Sequence, residues 1–255
     1  TEGPLGMSAR IACDRKGYIY NTSYHTKFPE YLKKMYYIPL WMSYTYLRWF
    51  HKHSGKVLTT TDTMVKELES HGFKGNIIPW TRGIDNGVFT PEIRSKEYKG
   101  YKTLLYVGRV SKEKGLDDFC SLDITAEKII VGDGPDRKRL EEEYTDVEFV
   151  GVKKGKELAQ YYADADCFVF PSKTYTFGIV IIEALACGTP VAAYPVPGPI
   201  DILEHDVNGY MDDNLEQAVY WALLQNRDDV YESSKKWTWE NCWLIFRDNL
   251  CKLNK

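Results

Sequence analysis

The second half of the chain repeats short apolar runs separated by segments of mixed apolar and charged residues. The runs have the length and the aliphatic and aromatic content of buried strands. They are Thr103 to Gly108, Lys128 to Gly132, Val147 to Gly151, Cys167 to Phe170 and Val191 to Tyr194. Helical segments are predicted between them. Five strands that alternate with helices are typical of an open parallel sheet, so this pattern predicts an α/β domain.

The first ninety residues show a similar alternation. Residues 18–24, 56–60 and 76–79 are predicted as strands. A helix is predicted over 29–50, with a break near Pro39, and Asp62 is expected to cap a helix over 63–71. Residues 80–91, rich in glycine and proline, and the polar residues 92–100 are the best candidate for a linker. The pattern therefore predicts one domain over 1–92 and a second from 93 onward.

One helix differs from the others because it is apolar on every side except at Glu183. It is predicted over 178–187, ends before Gly188, and joins two strands into a βαβ unit. A helix of this kind is buried, and a buried carboxylate needs a partner. Glu183 lies about 7 Å along the axis from the helix start, at about 1.5 Å per residue. A nucleotide with its phosphates at 176–179 would bring its ribose near Glu183. A neighbouring lysine, arginine or backbone amide is the alternative partner.

The loops that follow the predicted strands carry further candidate binding groups. Arg109 and Lys114 follow the first strand of the second half, and two cations there suit a diphosphate. Gly132 and Gly134 follow the second strand and allow close backbone approach to a ligand. The third loop, 151–155, is suited to receive a base edge through main-chain groups. Each feature alone has an ordinary explanation, such as solvated charge, but together they indicate a nucleotide diphosphate site.

Two features of the first half have both a functional and a structural interpretation. His25 directly follows a predicted strand, which is where ligands bind in α/β domains, although a surface loop histidine is the alternative. The helical segment 29–50 combines many aromatic residues with Lys33, Lys34 and Arg48. Three interpretations of such a segment are open: it lies on a membrane surface, it binds a lipid-linked acceptor, or it covers a sheet.

Net charge, cysteine spacing and the length of apolar stretches limit the partners and the compartment that we expect for this protein. The 255 residues carry a formal net charge of −3, so the total charge suggests neither nucleic acid nor an anionic membrane as a partner. The six cysteines lack metal-binding spacing, and several of them lie in predicted strands or helices and indicate buried thiols of a reducing compartment. No secretory signal is present. The apolar stretch 35–47 is shorter than the roughly 20 residues that span a bilayer. We therefore expect a cytoplasmic protein, peripheral to a membrane at most.

Several motifs taken together resemble a known family. They are Gly108-Arg109 with Glu113-Lys114-Gly115, Val131-Gly-Asp-Gly-Pro135, and the stretch from Thr176 to Val191. They resemble the donor-binding half of retaining GT-B glycosyltransferases of family 4. The tail Ala193-Tyr-Pro-Val-Pro-Gly-Pro-Ile-Asp201 resembles the bacterial and viral branch of GDP-mannose-dependent α-mannosyltransferases.

The resemblance covers nearly the whole chain and implies two Rossmann-like domains. The second would extend over 93–236, and the helix in 237–255 would cross back to the first. Residues 1–6 resemble a segment within the amino-terminal domain of the family, which implies that this domain is incomplete over 1–92. The alternative is that Gly3-Pro-Leu-Gly6 is a protease scar and Met7 the native start.

The resemblance also implies roles for matching residues. Arg109 and Lys114 would hold the donor diphosphate and stabilise its charge as it leaves, and Glu183 would bind the ribose. His25 would face the donor sugar, which makes these four the candidate catalytic residues. The candidate donor-binding residues are Gly108, Arg109, Lys114, Gly132, Gly134, Val150, Gly151, Val152, Tyr175, Thr176, Phe177, Gly178, Ile179 and Glu183.

One position departs from the pattern of the family. Tyr175 stands eight residues before Glu183, where an acidic residue usually contacts the donor sugar. Tyrosine offers one hydroxyl and carries no charge near neutral pH.

The activity that the resemblance implies is transfer of a hexose, mannose from GDP-mannose, to a hydroxyl of a glycan, lipid or glycoprotein, with retention. The site would lie in the cleft between the domains, with domain closure as the motion.

No metal or other cofactor is expected, because no Asp-x-Asp motif occurs at a suitable position. A homodimer is compatible with the sequence. The alternatives are a non-catalytic nucleotide-sugar-binding fragment, a transferase that uses a UDP-sugar, and a GT-B epimerase, against which the 195–201 tail argues.

Overall fold

A computed structural model describes residues 2–95, 100–173 and 177–251. The chain divides into two compact units, Thr1–Arg82 with Glu240–Lys255, and Gly83–Trp239. Each unit contains a parallel sheet with helices packed on it. The predicted donor contacts at Tyr175 and Thr176 lie outside the described residues.

The elements follow one another in a regular α/β order. In the first unit they are α1 (Pro4–Lys16), β1 (Thr22–Tyr24), α2 (Phe28–Tyr36), α3 (Leu40–His51), β2 (Lys56–Thr59), α4 (Asp62–Ser70) and β3 (Asn76–Pro79). In the second they are β4 (Lys102–Val107), α5 (Leu116–Cys120), β5 (Ala126–Val131), α6 (Arg137–Glu143), β6 (Val147–Gly151), α7 (Gly155–Asp164), β7 (Cys167–Phe170), α8 (Ile179–Ala186), β8 (Val191–Ala193), α9 (Pro199–Ile202), β9 (Gly209–Met211), α10 (Leu215–Ala222) and α11 (Arg227–Ser234). The last helix is α12 (Trp239–Asp248).

The first unit has a sheet with the strand order β1-β2-β3, in which both pairs are parallel. Helix α3 covers this sheet because Tyr44, Leu47 and Phe50 are buried on one of its faces. Helix α2 buries only Pro29 and leaves most of its surface exposed. The predicted break at Pro39 separates these two helices, since Pro39 directly precedes α3.

The cap of α4 differs from the sequence-based prediction. Thr61, in an extended conformation, accepts a hydrogen bond from the Met64 backbone N–H at 3.2 Å. Asp62 is the first helical residue, where its negative charge favours the helix start. Threonine and aspartate are both good N-cap residues, so the pattern alone does not choose between neighbours.

The second unit has a parallel sheet with the strand order β6-β5-β4-β7-β8-β9 among the described residues. Alternate side chains of the central strand β4 enter different cores, as the two-residue repeat of a strand requires. Leu105 and Val107 pack with residues of α7 and α8, whereas Leu104 and Tyr106 pack with residues of α5 and α10. Both faces of the sheet are therefore covered, which explains the continuous apolar runs in the sequence.

Strand β9 was not predicted from the sequence. It has only three residues and begins with a glycine, so it lacks the apolar run that marks the other strands. Gly209 lies so close to β8 that a Cβ atom would be 2.2 Å from the Val191 carbonyl oxygen. The need for a glycine therefore removes the usual strand signal at this position.

The boundary between the units falls before the polar linker. The Ile84 N–H donates to the Trp237 carbonyl at 3.1 Å, and Ile84 is buried in the core that includes Leu105. These contacts place residues 83–92 in the second unit, whereas the sequence suggested a boundary at 92–93. In the first unit, the Trp80 indole donates to the Cys242 carbonyl at 3.1 Å, which attaches α12 to this unit.

Every helix in the described part of the chain is too short or too polar to cross a membrane.

Candidate functional site

The loops after β4, β5 and β6 contact one another at the carboxyl edge of the larger sheet. The Val110 N–H donates to the Asp133 carbonyl at 3.0 Å, which joins the first two loops. The Gly132 N–H donates to the Gly151 carbonyl at 2.9 Å, which joins the second to the third. The strand order places β7 beside β4, so the loop that leads to α8 begins at the same edge. Among the described residues, the structure thus assembles the predicted loops of the second unit along one edge.

The glycines of the second loop have a structural reason that the sequence did not show. Gly132 has φ +146°, and a Cβ atom there would lie 1.8 Å from the Gly108 carbonyl oxygen. A Cβ atom on Gly134 would lie 2.1 Å from the Val110 carbonyl oxygen. Both glycines therefore allow two loops to pack closely, independently of any ligand that approaches them.

Arg109 and Lys114 are close enough to affect each other. The Arg109 side chain is exposed, while its carbonyl accepts a hydrogen bond from the Tyr106 hydroxyl at 3.0 Å. Lys114 ends a short 3-10 turn and is half-buried. Burial lowers the pKa of Lys114, Glu113 raises it, and the positive charge of Arg109 lowers it again. An anion bound near both cations would reduce their repulsion and favour the charged lysine.

The start of α8 has the geometry expected of an anion-binding helix terminus. Gly178 is its N-cap with φ +84°, a left-handed conformation that glycine adopts without strain. Phe177 is buried against Trp237, with ring centroids 5.8 Å apart, and so anchors the turn. Ile179 is the first helical residue and is 42% exposed. The N–H groups and the dipole of such a helix start favour a negative charge.

Glu183 has a partner within the protein. The hydroxyl of Tyr162, on α7, donates to Glu183 Oε2 at 2.9 Å. Burial raises the pKa of Glu183 to about 7, although the bond from Tyr162 acts in the opposite direction. Tyr162 is its only hydrogen-bond partner among the described residues, and the carboxylate has a second oxygen. The side chain is half-buried, so this oxygen is available for a ligand hydroxyl.

The third loop offers fewer main-chain groups than the sequence suggested. The Gly151 carbonyl is occupied by the Gly132 N–H, and Val150 is half-buried. Val152 is 61% exposed and lies directly after β6. An approaching base would therefore meet Val152 and the residues after it before it met Gly151.

His25 belongs to the first unit, whereas the other candidate residues belong to the second. It directly follows β1, and its ring lies 5.5 Å from that of Trp80. Burial and then Arg82 lower the pKa of His25 to about 4, so the imidazole is neutral at pH 7. Its Nδ1 atom is buried without a hydrogen-bond partner among the described residues. A neutral imidazole with one unused nitrogen is suited to a hydroxyl group.

A third cation at this sheet edge was missed in the sequence. Lys173 follows β7 and lies 3.3 Å from an Asp118 carboxylate oxygen, and its ammonium is 4.2 Å from the centre of the Tyr194 ring. The Tyr194 hydroxyl donates to the same Asp118 oxygen at 2.7 Å. Tyr162 was also missed, because nothing in the local sequence connects it with Glu183. Both contacts join residues that are distant in the chain, so only the fold reveals them.

The fold and the loop geometry define an α/β protein with a candidate ligand site at the carboxyl edge of its larger sheet, and the comparisons with known proteins give its family. Residues 90–229 match the family described as Glycosyl transferases group 1, which is more than half of the chain. The protein therefore belongs to this family.

Curated relatives include enzymes with different substrates. The chain is 34% identical over 218 residues to a GDP-mannose-dependent alpha-mannosyltransferase of Corynebacterium glutamicum, with 78% of this chain and 52% of the relative covered. It is 32% identical over 206 residues to a sulfoquinovosyl transferase of Arabidopsis thaliana, covering 73% and 40%. An alpha-monoglucosyldiacylglycerol synthase of Streptococcus pneumoniae is 29% identical over 262 residues, covering 89% and 58%. The chain thus spans about half the length of these relatives.

Solved structures confirm the predicted GT-B type of α/β fold. Sucrose-phosphate synthase from Thermosynechococcus elongatus superposes with a TM-score of 0.79 at 22% identity, covering 95% of this chain and 70% of that one. Anabaena HepE in complex with UDP-glucose superposes with a TM-score of 0.70 at 17% identity, covering 97% and 75%. At these identities the likeness concerns the fold alone.

Proposed function

We propose that this glycosyltransferase binds a nucleotide-sugar donor at the carboxyl edge of the larger sheet and transfers its hexose to a hydroxyl acceptor with retention. The proposed donor is GDP-mannose, because several relatives are GDP-mannose-dependent alpha-mannosyltransferases. The proposed acceptor is a hydroxyl group of a glycan, lipid or glycoprotein.

The observation that carries this proposal is the placement of unlike groups along one sheet edge. Arg109 and Lys114 provide positive charge, the start of α8 provides N–H groups, and Glu183 provides a carboxylate oxygen one turn further along α8. A nucleoside diphosphate needs these groups in this order, for its phosphates and then its ribose hydroxyls. The lysine and arginine then stabilise the diphosphate as it departs.

In the proposed reaction, the bond between the sugar C1 and the diphosphate oxygen breaks while the acceptor oxygen bonds to C1 on the same face. The acceptor proton passes to the leaving phosphate, so the atoms balance without a protein nucleophile. The neutral imidazole of His25 would hydrogen-bond a sugar hydroxyl rather than transfer the proton.

We also propose that the donor phosphates need no metal ion from an Asp-x-Asp motif. Asp164 and Asp166 form the only such triplet in the sequence. Asp166 accepts a hydrogen bond from the Thr103 N–H at 2.9 Å, near the start of β4, and Asp164 accepts one from the Ser95 N–H at 2.8 Å. Both carboxylates thus have structural partners, and they lie near the amino end of β4 rather than its carboxyl end.

The surface of α2 and α3 supports an acceptor at a membrane. Tyr37 is 88% exposed and Trp41 is 70% exposed, and Lys33 and Lys34 lie in the last turn of α2. Aromatic rings with adjacent lysines favour the interface of an anionic bilayer. We place the protein in the cytoplasm, at the periphery of a membrane.

Product analysis tests this function. The full chain is incubated with GDP-mannose or UDP-glucose and a panel of glycoside and diacylglycerol acceptors, and the product linkage is determined by NMR. The proposal predicts an α-mannoside and release of GDP. A β-linked product would overturn retention, and turnover of UDP-glucose alone would overturn the choice of donor.

Binding without turnover is the competing function. It is favoured by Tyr175, which stands where the resembled pattern has an acidic residue. In the same experiment, tight binding of GDP-mannose with no product from any acceptor would support it. Substitution Tyr175→Glu would then be expected to introduce turnover if the missing charge is the cause.

A further inference from the structure

The first unit contains three side chains whose ligand atoms converge. Glu30 lies on α2, while Glu67 lies on α4 and His71 directly follows it. One potential ligand atom from each lies within 4.8 Å of the other two, and all three residues are half-buried. Glu67 and His71 are four residues apart, so their side chains lie on the same face of the helix end.

Glu30 is held through one oxygen only, whereas Glu67 is held at Oε2 and its Oε1 lies 3.4 Å from the Tyr44 hydroxyl. The Tyr44 hydroxyl donates to Glu30 Oε1 at 2.8 Å, and the Lys27 ammonium donates to Glu67 Oε2 at 2.6 Å. Glu30 Oε2 is buried and has no hydrogen-bond partner among the described residues. A buried carboxylate oxygen without a partner is costly, so it points to a missing ligand.

A second unpartnered group comes from the sheet. Tyr24, at the end of β1, is 1% exposed, and its hydroxyl also has no hydrogen-bond partner in the described part of the chain. Burial raises the pKa of Tyr24, the carboxylates of Glu30 and Glu67 raise it further, and the Tyr44 hydroxyl lowers it. Tyr24 packs in the same buried cluster as Tyr44, whose hydroxyl contacts Glu30 and Glu67. The Tyr24 hydroxyl of β1 and Glu30 Oε2 of α2 are thus two buried polar atoms in this region that lack a hydrogen bond of normal geometry among the described residues.

The histidine ring is also fixed in place. It stacks on the Tyr44 ring with centroids 3.6 Å apart and an interplanar angle of 12°. The Arg48 guanidinium donates to the His71 carbonyl at 2.6 Å and holds the end of α4. Tyr44 therefore orients both Glu30 and His71, as outer partners of metal ligands commonly do.

We propose that Glu30, Glu67 and His71 bind a divalent transition-metal ion, with zinc as the best match. One imidazole nitrogen and two carboxylate oxygens suit zinc, with water as a fourth ligand. The Tyr24 hydroxyl would hydrogen-bond that water. Tetrahedral ligands at zinc are about 3.4 Å apart, so side chains whose ligand atoms lie within 4.8 Å would close by at most about 1.4 Å on binding.

The ion would have a structural role, because it connects α2 to α4. Helix α2 otherwise buries only Pro29, so its position depends on few packing contacts. A metal bridge from Glu30 to Glu67 and His71 would fix this helix, which carries part of the exposed aromatic surface. The site lies in the first unit and does not depend on the proposed donor chemistry of the second.

Calorimetric titration of the full, untagged and chelator-treated chain with Zn²⁺ tests the proposal. We expect one ion per chain, a higher melting temperature with zinc, and at least tenfold weaker binding in Glu30→Gln and His71→Ala. Glu69→Gln, an exposed carboxylate on the same helix, and His53→Ala, an exposed histidine of the same unit, should bind as the wild type does.

The wild-type titration alone can overturn the site, whatever the variants do. Absence of binding by Zn²⁺, Co²⁺ and Mn²⁺ would overturn the proposal and leave the ion pair between Lys27 and Glu67 as the charge compensation within the cluster. Zinc binding that Glu30→Gln and His71→Ala leave unchanged would place the ion elsewhere. Co²⁺ gives a separate readout, because a four-coordinate site produces strong visible absorption that these two variants should remove.

Discussion

Glu183 is half-buried, which disfavours its charged form, and it lies one turn from the start of α8, where the donor phosphates are proposed to bind. Its pKa in the folded protein is about 7, above the ordinary value of 4.5, because burial disfavours the carboxylate. The folded state therefore binds the proton more tightly than the unfolded state. This group contributes most to stability below pH 4.5, and the contribution is lost as the pH rises to about 7.

Substitution Glu183→Gln should remove this pH dependence. The wild-type free energy of unfolding should fall relative to that of the variant by up to about 3 kcal/mol between pH 4.5 and pH 8. Glutamine keeps an acceptor for the Tyr162 hydroxyl, so the packing is preserved. Urea unfolding at several pH values measures the difference, and parallel curves for the two proteins would contradict the assignment.

Lys114→Ala should weaken binding of a nucleoside diphosphate by about 10- to 100-fold, the equivalent of one charged hydrogen bond. Its ammonium is half-buried beside Arg109, so an anion there interacts with little screening. The exposed neighbour Lys112 is the matched control, and Lys112→Ala should change the affinity less than threefold. Equal losses in both variants, measured by calorimetry with GDP, would mean that the effect is one of net charge.

At the scale of elements, the sheet edge depends on how closely the loops pack. Gly132→Ala should destabilise the protein by about 3 kcal/mol or more, because the new Cβ atom would meet the Gly108 carbonyl at 1.8 Å. Gly155 is the control. It also has a positive φ, +55°, but a Cβ atom there would have no neighbour within 4 Å. Gly155→Ala should therefore cost only about 1–2 kcal/mol, from backbone strain. Similar losses in thermal or urea unfolding would contradict this contrast.

The sequence was sufficient to locate the strands that are buried on both faces. The runs at β4, β5 and β7 are continuous and apolar, and the loops after parallel strands necessarily share an edge. It was insufficient for β9, where three residues beginning with glycine leave no pattern. The bond between Tyr162 and Glu183 could not be predicted either, since it joins two helices through the packing of the core. Local pattern thus determined the elements, while side-chain partners depended on the fold.

At the scale of the molecule, the exposed face of α2 and α3 should bind anionic vesicles. Trp41→Ser should reduce co-sedimentation with phosphatidylserine vesicles several-fold, because it removes a ring that is 70% exposed. Trp243→Ser, which removes a 54% exposed tryptophan of α12, is the matched control. Replacing Lys33 and Lys34 with glutamine should weaken binding further, by about 1 kcal/mol per lysine, and high salt should do the same. Equal binding to neutral vesicles would contradict the role of charge.

Residues 90–229 match the family, and the chain spans about half the length of its curated relatives. The second unit has a complete core of its own, with both faces of its sheet covered. Donor binding is therefore the part of the proposed function that the described residues support most directly. The first unit carries the exposed aromatic surface of α2 and α3, which is the candidate contact for a membrane-bound acceptor in the proposed function.

Calorimetric titration of the full chain with GDP-mannose tests the central claim most directly, with Glu183→Ala and the exposed control Glu142→Ala measured beside it. We predict one site per chain, at least tenfold weaker binding in Glu183→Ala, and no change in Glu142→Ala. Tighter binding of UDP-glucose than of GDP-mannose would keep the site and overturn the proposed donor. Absence of binding by either nucleotide sugar, or equal affinity in Glu183→Ala, would contradict the account of the site itself.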